Sequence, residues 1–223
     1  MKKLSLVVLI SGSGSNLQAI IDAIQSGELN AEIRLVISNR ADAGGLQRAE
    51  KAGIETRVID HKHYPDRESF DRAMIAEIDP LQPDLVILAG FMRILSPAFI
   101  EHFEHRLLNI HPSLLPRYKG LNTHQQAIDN SDAIHGASVH FVNVELDSGP
   151  LVIQAEVPVL PGDDAKTLAA RVLEQEHRIY PLAIKLYGEG KLHFDNNTLF
   201  YEDQPLVRPL RWKDGQLITP EHV

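Results

Sequence analysis

The sequence predicts an α/β fold: a doubly wound, mostly parallel sheet with an antiparallel part toward the carboxyl terminus. Two observations carry this. Short apolar runs alternate with helical patterns through the first half, and the runs are near-continuous, as strands buried on both faces require. Two later strand-like runs are separated only by Asp147-Ser148-Gly149-Pro150, a connection that suits antiparallel pairing.

Leu4–Ile10 is the first apolar run. From Ser15 the period changes: Leu17, Ile20, Ile21 and Ile24 recur at helical spacing, and Gly27 stands where a helix C-cap belongs. A strand is expected over Ile33–Ile37, a helix over Asp42–Ala52 closed by Gly53, and a short strand over Thr56–Ile59. Phe70, Met74 and Ile78 mark a further helix, ended by Asp79-Pro80. Leu85–Ala89 repeats the buried-strand pattern. This βαβα order implies right-handed crossovers. Arg106–His111 reads as a strand, and Pro112, Pro116 and Gly120 punctuate a loop after it. Ile134–Asn143 and Leu151–Val157 are the strands flanking Asp147-Pro150, Ala165–Tyr187 is a long helix, and 191–223 reads as a polar, strand-poor tail. With no repeat and no linker, the 223 residues are taken as one domain: a phosphate-binding half over 1–100, a second half over 101–190, and the tail.

Composition narrows the function classes. Acidic residues number 30 against 22 basic ones, a net charge of −8, which argues against non-specific nucleic-acid or anionic-membrane binding. The absence of cysteine excludes disulfides, thiolate nucleophiles, iron–sulfur clusters and cysteine zinc sites. Lys2 and Lys3 lead into an apolar run that ends at Ser11-Gly12-Ser13-Gly14, with a helix where a cleavage site would stand. No apolar stretch is long enough to span a bilayer, so a cytoplasmic protein is expected.

Ser11-Gly12-Ser13-Gly14-Ser15-Asn16 joins the first strand to the first helix. Glycines let backbone amides approach an anion, and a helix N-terminus favours negative charge. No Gly-Lys-Ser/Thr follows, so this is not a nucleoside-triphosphate loop. Leu17 occupies the third glycine position of a dinucleotide fingerprint, and Ser38-Asn39-Arg40 supplies no acid for a ribose. The loop suits a single phosphate monoester; a tight turn with an N-cap serine is the alternative. In Leu108-Asn109-Ile110-His111, an extended chain projects Asn109 and His111 to one side, at the carboxyl end of a strand where α/β sheets bind ligands. An amide can donate to a developing oxyanion and an imidazole can move a proton. The alternative is a polar face that merely meets solvent.

The run Leu108-Asn109-Ile110-His111-Pro112-Ser113-Leu114-Leu115-Pro116 resembles the signature of the folate-dependent formyltransferases. Ser11-Gly12-Ser13-Gly14-Ser15-Asn16-Leu17, Ala89–Leu95 and Leu146-Asp147-Ser148-Gly149-Pro150 resemble the branch that formylates glycinamide ribonucleotide in purine synthesis. The likeness runs from Leu6 to Tyr187 and implies a Rossmann-like fold. It implies direct attack of the ribonucleotide amine on 10-formyltetrahydrofolate, a co-substrate, with no metal. Asn109 and His111 would stabilise the tetrahedral intermediate, and Asp147 would orient His111; on its own Asp147 reads as a turn residue. Gly12, Ser13, Gly14, Ser15 and Asn16 would hold the ribonucleotide phosphate, with no weight on the identity of Ser13. Arg67, Met92, Arg93, Ile94 and Leu95 would bind folate together with Asn109. The backbone of Asn143, Val144, Glu145, Leu146 and Asp147 would cradle the pterin.

Glu176 falls near the centre of the apolar stripe formed by Ala165, Leu168, Ala169, Val172 and Ile179, where a lone acid is costly. Its tip reaches either a polar network or, as the resemblance implies, the substrate ribose. His61, His63, His102, His105, His135 and His140 match no established metal-ligand pattern, and His140 is the one nearest Asp147 by strand direction. Rival readings are a formyltetrahydrofolate deformylase, a methionyl-tRNA formyltransferase and a non-catalytic nucleotide-binding module. The acidic balance and the short segment after the long helix weigh against the tRNA enzyme, which needs a basic face and an RNA-binding domain. A monomer or homodimer acting on small molecules is expected, without a nucleic-acid or membrane partner.

Overall fold

The computed structural model describes residues 2–220. The chain divides into two compact units, Met1–Asn109 and Ile110–Val223.

In the amino-terminal unit, β1 (Leu4–Ile10), α1 (Ser15–Gln25), β2 (Ala31–Ser38), α2 (Gly44–Lys51) and β3 (Thr56–Val58) follow the expected alternation. Then come α3 (Arg67–Ile78), β4 (Leu85–Leu88), α4 (Pro97–His102) and β5 (Leu107–His111), the last two residues of which belong to the second unit. The strands lie in the order β5-β4-β1-β2-β3 and every pairing is parallel. Leu6 to Ile10 and Leu85 to Ile87 have no exposed surface, which explains their unbroken apolar runs. α1 packs with α2 and α3 with α4, giving two helix pairs for one sheet. The strand order reverses between β1 and β4. The chain leaves these neighbours in opposite directions, and a crevice opens at their carboxyl ends.

Two helix starts are fixed by local caps. α3 starts at Arg67 because Asp66 caps it, its carboxylate accepting the Ser69 N–H at 2.7 Å. α4, unread in the sequence, is announced by Ser96-Pro97: Ser96 accepts the Phe99 N–H and Pro97 takes the first helical position.

The carboxyl-terminal unit holds α5 (Thr123–Asp129), β6 (Ile134–Phe141), β7 (Leu151–Pro158) and α6 (Ala165–Gly188). β6 and β7 pair antiparallel from Ile134↔Pro158 to His140↔Leu151, as expected. α6 begins at a capping box between Asp164 and Thr167 and packs on both strands. The expectation of a strand-poor tail is overturned. β8 (Leu192–Asp195), β9 (Thr198–Tyr201) and β10 (Gln204–Pro205) form a small antiparallel sheet. β11 (Leu210–Lys213) runs parallel to β7 and turns back into β12 (Gln216–Ile218). The turns sit at Asn196-Asn197 and Asp214-Gly215, all four residues at positive φ, the geometry two-residue hairpins demand.

Candidate active site

The Ser11–Asn16 segment follows β1 at the reversal of strand order. Gly14, not a serine, is the N-cap of α1, in the left-handed region at φ 72° with no side-chain cap bond. The first helical hydrogen bond runs from the Gln18 N–H to the Gly14 carbonyl, so the Ser15, Asn16 and Leu17 amides precede the intrahelical ladder. The loop is held from α2: the Gly45 N–H donates to the Gly12 carbonyl at 3.0 Å and Arg48 Nε to the Ser13 carbonyl at 2.8 Å. Gly12 and Ser13 are exposed, Gly14 and Asn16 buried, Ser15 between. Ser11 is spent internally, on Asn39 and the Met92 amide.

In the same unit Met92, Arg93 and Ile94 are exposed on the loop after β4, while Leu95 is buried. The Ser96 N–H that ends this loop donates to Asp71 Oδ2 at 2.6 Å. Asp71 lies one turn beyond Arg67 on α3, which ties the start of α3 to the loop. Burial pushes the Asp71 carboxyl up, against the hydrogen bonds from Ser96 and the charge of Arg67. Arg67 itself is exposed at the first position of α3, where the helix dipole disfavours a cation.

Asn109 and His111 stand on one side of β5, Asn109 half-buried and His111 buried. His111 Nε2 lies 2.8 Å from the Tyr118 carbonyl, which only accepts, so Nε2 carries the proton. His111 Nδ1 faces Asp147 Oδ2 at 3.6 Å. Asp147 sits at φ 46° after β6, and its Oδ2 accepts the Gly120 N–H at 2.9 Å. Its Oδ1 faces His140 Nε2 at 3.7 Å. His140 donates from Nδ1 to the Phe141 carbonyl at 3.0 Å, and burial pushes its pKa down, against the Asp147 charge. The Asp147 carboxylate thus lies between two imidazole nitrogens.

The loop bearing Tyr118 and Gly120 is clamped from below. Asp132 accepts from Arg117 and from the Tyr118 hydroxyl, each at 2.7 Å, and Thr123 Oγ1 donates to the Pro112 carbonyl at 2.6 Å. Lys119 Nζ contacts Ser148 Oγ. His135 is buried beneath, 3.2 Å from His124; burial first, then His124, pushes its pKa down to about 4, while Asp132 opposes the shift. The unfolded chain binds a proton there near pH 6.5 and the folded chain does not. This contribution to stability is therefore complete above pH 6.5 and is lost as pH falls toward 4, by up to about 3 kcal/mol. Thermal melts from pH 7 to 4.5 are expected to fall less for His135→Gln than for the unmodified protein; parallel declines would refute this.

Of the remaining expected residues, Asn143 is half-buried with an unbonded Oδ1, and Val144, Glu145 and Leu146 are exposed on the loop that carries Asp147. Glu176 is buried on α6 beside Val172 and Ile179, and it is engaged there. Tyr118, Gly120 and Asp71 were not expected, since two act through backbone atoms and the third lies in a helix with ordinary patterning. Among the described residues, no group of three or more His, Asp or Glu side chains is placed to hold a metal ion.

A model of the formyl transferase family matches residues 4–184. The chain belongs to that family. It is 52% identical over 218 residues to the phosphoribosylglycinamide formyltransferase of Escherichia coli, covering 98% of this chain and 97% of that one. It is 47% identical over 196 residues to the human trifunctional purine biosynthetic protein adenosine-3, covering 88% of this chain but 19% of that longer one. The solved phosphoribosylglycinamide formyltransferase of Coxiella burnetii superposes with a TM-score of 0.88 at 50% identity, over 92% of this chain and 96% of that one.

Proposed function

We propose that this enzyme transfers the formyl group of 10-formyltetrahydrofolate to the amine of glycinamide ribonucleotide, a step of purine synthesis. The observation that carries the reading is the pair Asn109 and His111 on one side of β5, with His111 Nδ1 turned to the Asp147 carboxylate. The amine nitrogen attacks the formyl carbon, and the carbonyl oxygen takes up charge. The Asn109 amide donates to that oxyanion. His111 Nδ1 accepts the proton that the attacking nitrogen must lose, and Asp147 stabilises the imidazolium that results. Collapse breaks the bond to folate N10, which takes a proton from the same histidine. Atoms and charge balance without a covalent enzyme intermediate, consistent with a chain that has no cysteine.

The amides of Ser15, Asn16 and Leu17 suit a phosphate at the start of α1, and Gly12, Ser13 and Gly14 complete that loop. Met92 to Leu95, Arg67 and Asn143 to Asp147 serve the folate; the unbonded Asn143 Oδ1 is an acceptor for a ring N–H. Glu176 bonds the ribose. We further expect a monomer or homodimer in the cytoplasm; no described helix is long and apolar enough to cross a membrane.

Incubation with 10-formyltetrahydrofolate tests the reading. Tetrahydrofolate is expected only when glycinamide ribonucleotide is present, with the formyl group on its amine. Formate released without the ribonucleotide would mean a deformylase, and no turnover a binding module. Activity is also expected to survive exhaustive chelation, because Asn109 and His111 supply the polarisation and proton transfer that a Lewis acid would otherwise give. Activity lost to a chelator and restored by zinc would overturn that mechanism.

A further inference from the structure

We propose that the Ser11 hydroxyl couples two substrate loops of the amino-terminal unit, so that ribonucleotide and folate each bind more tightly when the other is present. The proposal rests on the assignment of Gly12–Asn16 to the ribonucleotide and Met92–Leu95 to the folate. β1 and β4 are direct neighbours, and Ser11 and Met92 stand on the segments leaving them. Ser11 Oγ donates its one proton to Asn39 Oδ1 at 2.6 Å and accepts the Met92 N–H at 2.8 Å. Ser11 is 4% exposed and Asn39 3%, so the pair is shielded from competing water.

The loop at the receiving end has little else to hold it. Met92 and Ile94 are 64% and 63% exposed. Among the described residues, no hydrogen bond other than that of the Met92 N–H to Ser11 Oγ holds residues 90–95; the next is Asp71 on the Ser96 amide. A phosphate on the amides that follow Ser11 fixes the Ser11 backbone, and with it the hydroxyl and the Met92 peptide. Part of the ordering cost of the folate loop is then met before folate arrives. Linkage makes the effect equal in both directions. A neutral buried hydrogen bond is worth about five-fold in affinity, and the coupling is expected on that scale. A serine with only a structural role would weaken both ligands without changing their influence on one another.

Calorimetry on the intact protein decides between these. Glycinamide ribonucleotide is titrated alone and with saturating tetrahydrofolate, which has no formyl group to give and so forms a complex that cannot turn over. The unmodified protein is expected to bind the ribonucleotide about five-fold more tightly with folate present. Ser11→Ala is expected to bring that ratio near one, and Ser11→Thr, which keeps the hydroxyl, to retain it. Should Ser11→Ala fail to fold in a thermal melt, Asn39→Ala takes its place, because it frees the hydroxyl to turn away from Met92. A ratio of one in the unmodified protein, or an unchanged ratio in the variant that folds, overturns the coupling while the assigned sites stand. Failure of the unmodified protein to bind either ligand overturns the functional reading instead.

Discussion

His111→Ala and Asp147→Asn are each expected to lower kcat by roughly 100- to 1,000-fold with ribonucleotide affinity nearly unchanged. In the proposed mechanism both groups act on charge that exists only while the formyl carbon is tetrahedral, so the loss falls on turnover. Asp147→Asn is the sharper test. Its side-chain oxygen can still accept the Gly120 N–H, while the charge facing His111 Nδ1 and His140 Nε2 is gone. His111→Ala also frees the Tyr118 carbonyl, so a thermal melt must accompany it. Steady-state kcat and calorimetric ribonucleotide affinity are measured for both. A loss confined to binding would remove these residues from the chemistry.

The parts legible in the sequence were those whose physics is local. Leu4–Ile10 and Leu85–Leu88 are buried on both faces, so their composition alone marks them as strands. Alternation along β5 was enough to set Asn109 and His111 on one side, and a helical wheel was enough to bury Glu176. The tail strands failed that test: with two to four residues each they are too short to show a period. Their signal lay in the turns, where Asp214-Gly215 and Asn196-Asn197 are residue pairs that tolerate positive φ. Asp147 was hidden for the opposite reason. It is a turn residue, at φ 46°, and its partners Gly120 and His140 reach it from separate segments through contacts that no spacing rule encodes. Ser11 shows a further limit. Nothing in its glycine-rich surroundings shows that its hydroxyl is turned inward to Asn39 and Met92.

The two glycines of the Ser11–Asn16 loop are expected to respond to valine in opposite ways. Gly14 has φ 72°, and a Cβ there would lie 2.4 Å from Gly45 Cα, backbone that cannot give way. β1, the loop and α2 close on one another at this point, since Gly45 also bonds the Gly12 carbonyl. Gly14→Val therefore combines left-handed strain with an overpacked backbone contact and is expected to cost roughly 2–5 kcal/mol of stability. Any loss of activity it causes would report on folding. Gly12 is the informative position. A Cβ there meets nothing within 4 Å, and Gly12 is not among the residues at positive φ. Gly12→Val is expected to melt close to the unmodified protein and to raise the ribonucleotide KM about 10- to 100-fold, the worth of one or two charge-assisted hydrogen bonds. Binding of tetrahydrofolate alone is expected to change little, since Arg67, Met92–Leu95 and Asn143–Asp147 are untouched. Melting temperature, ribonucleotide KM and folate affinity are measured for both variants. A Gly12→Val protein that folds and keeps its ribonucleotide KM would show that the loop only turns the chain, and that the phosphate is held elsewhere.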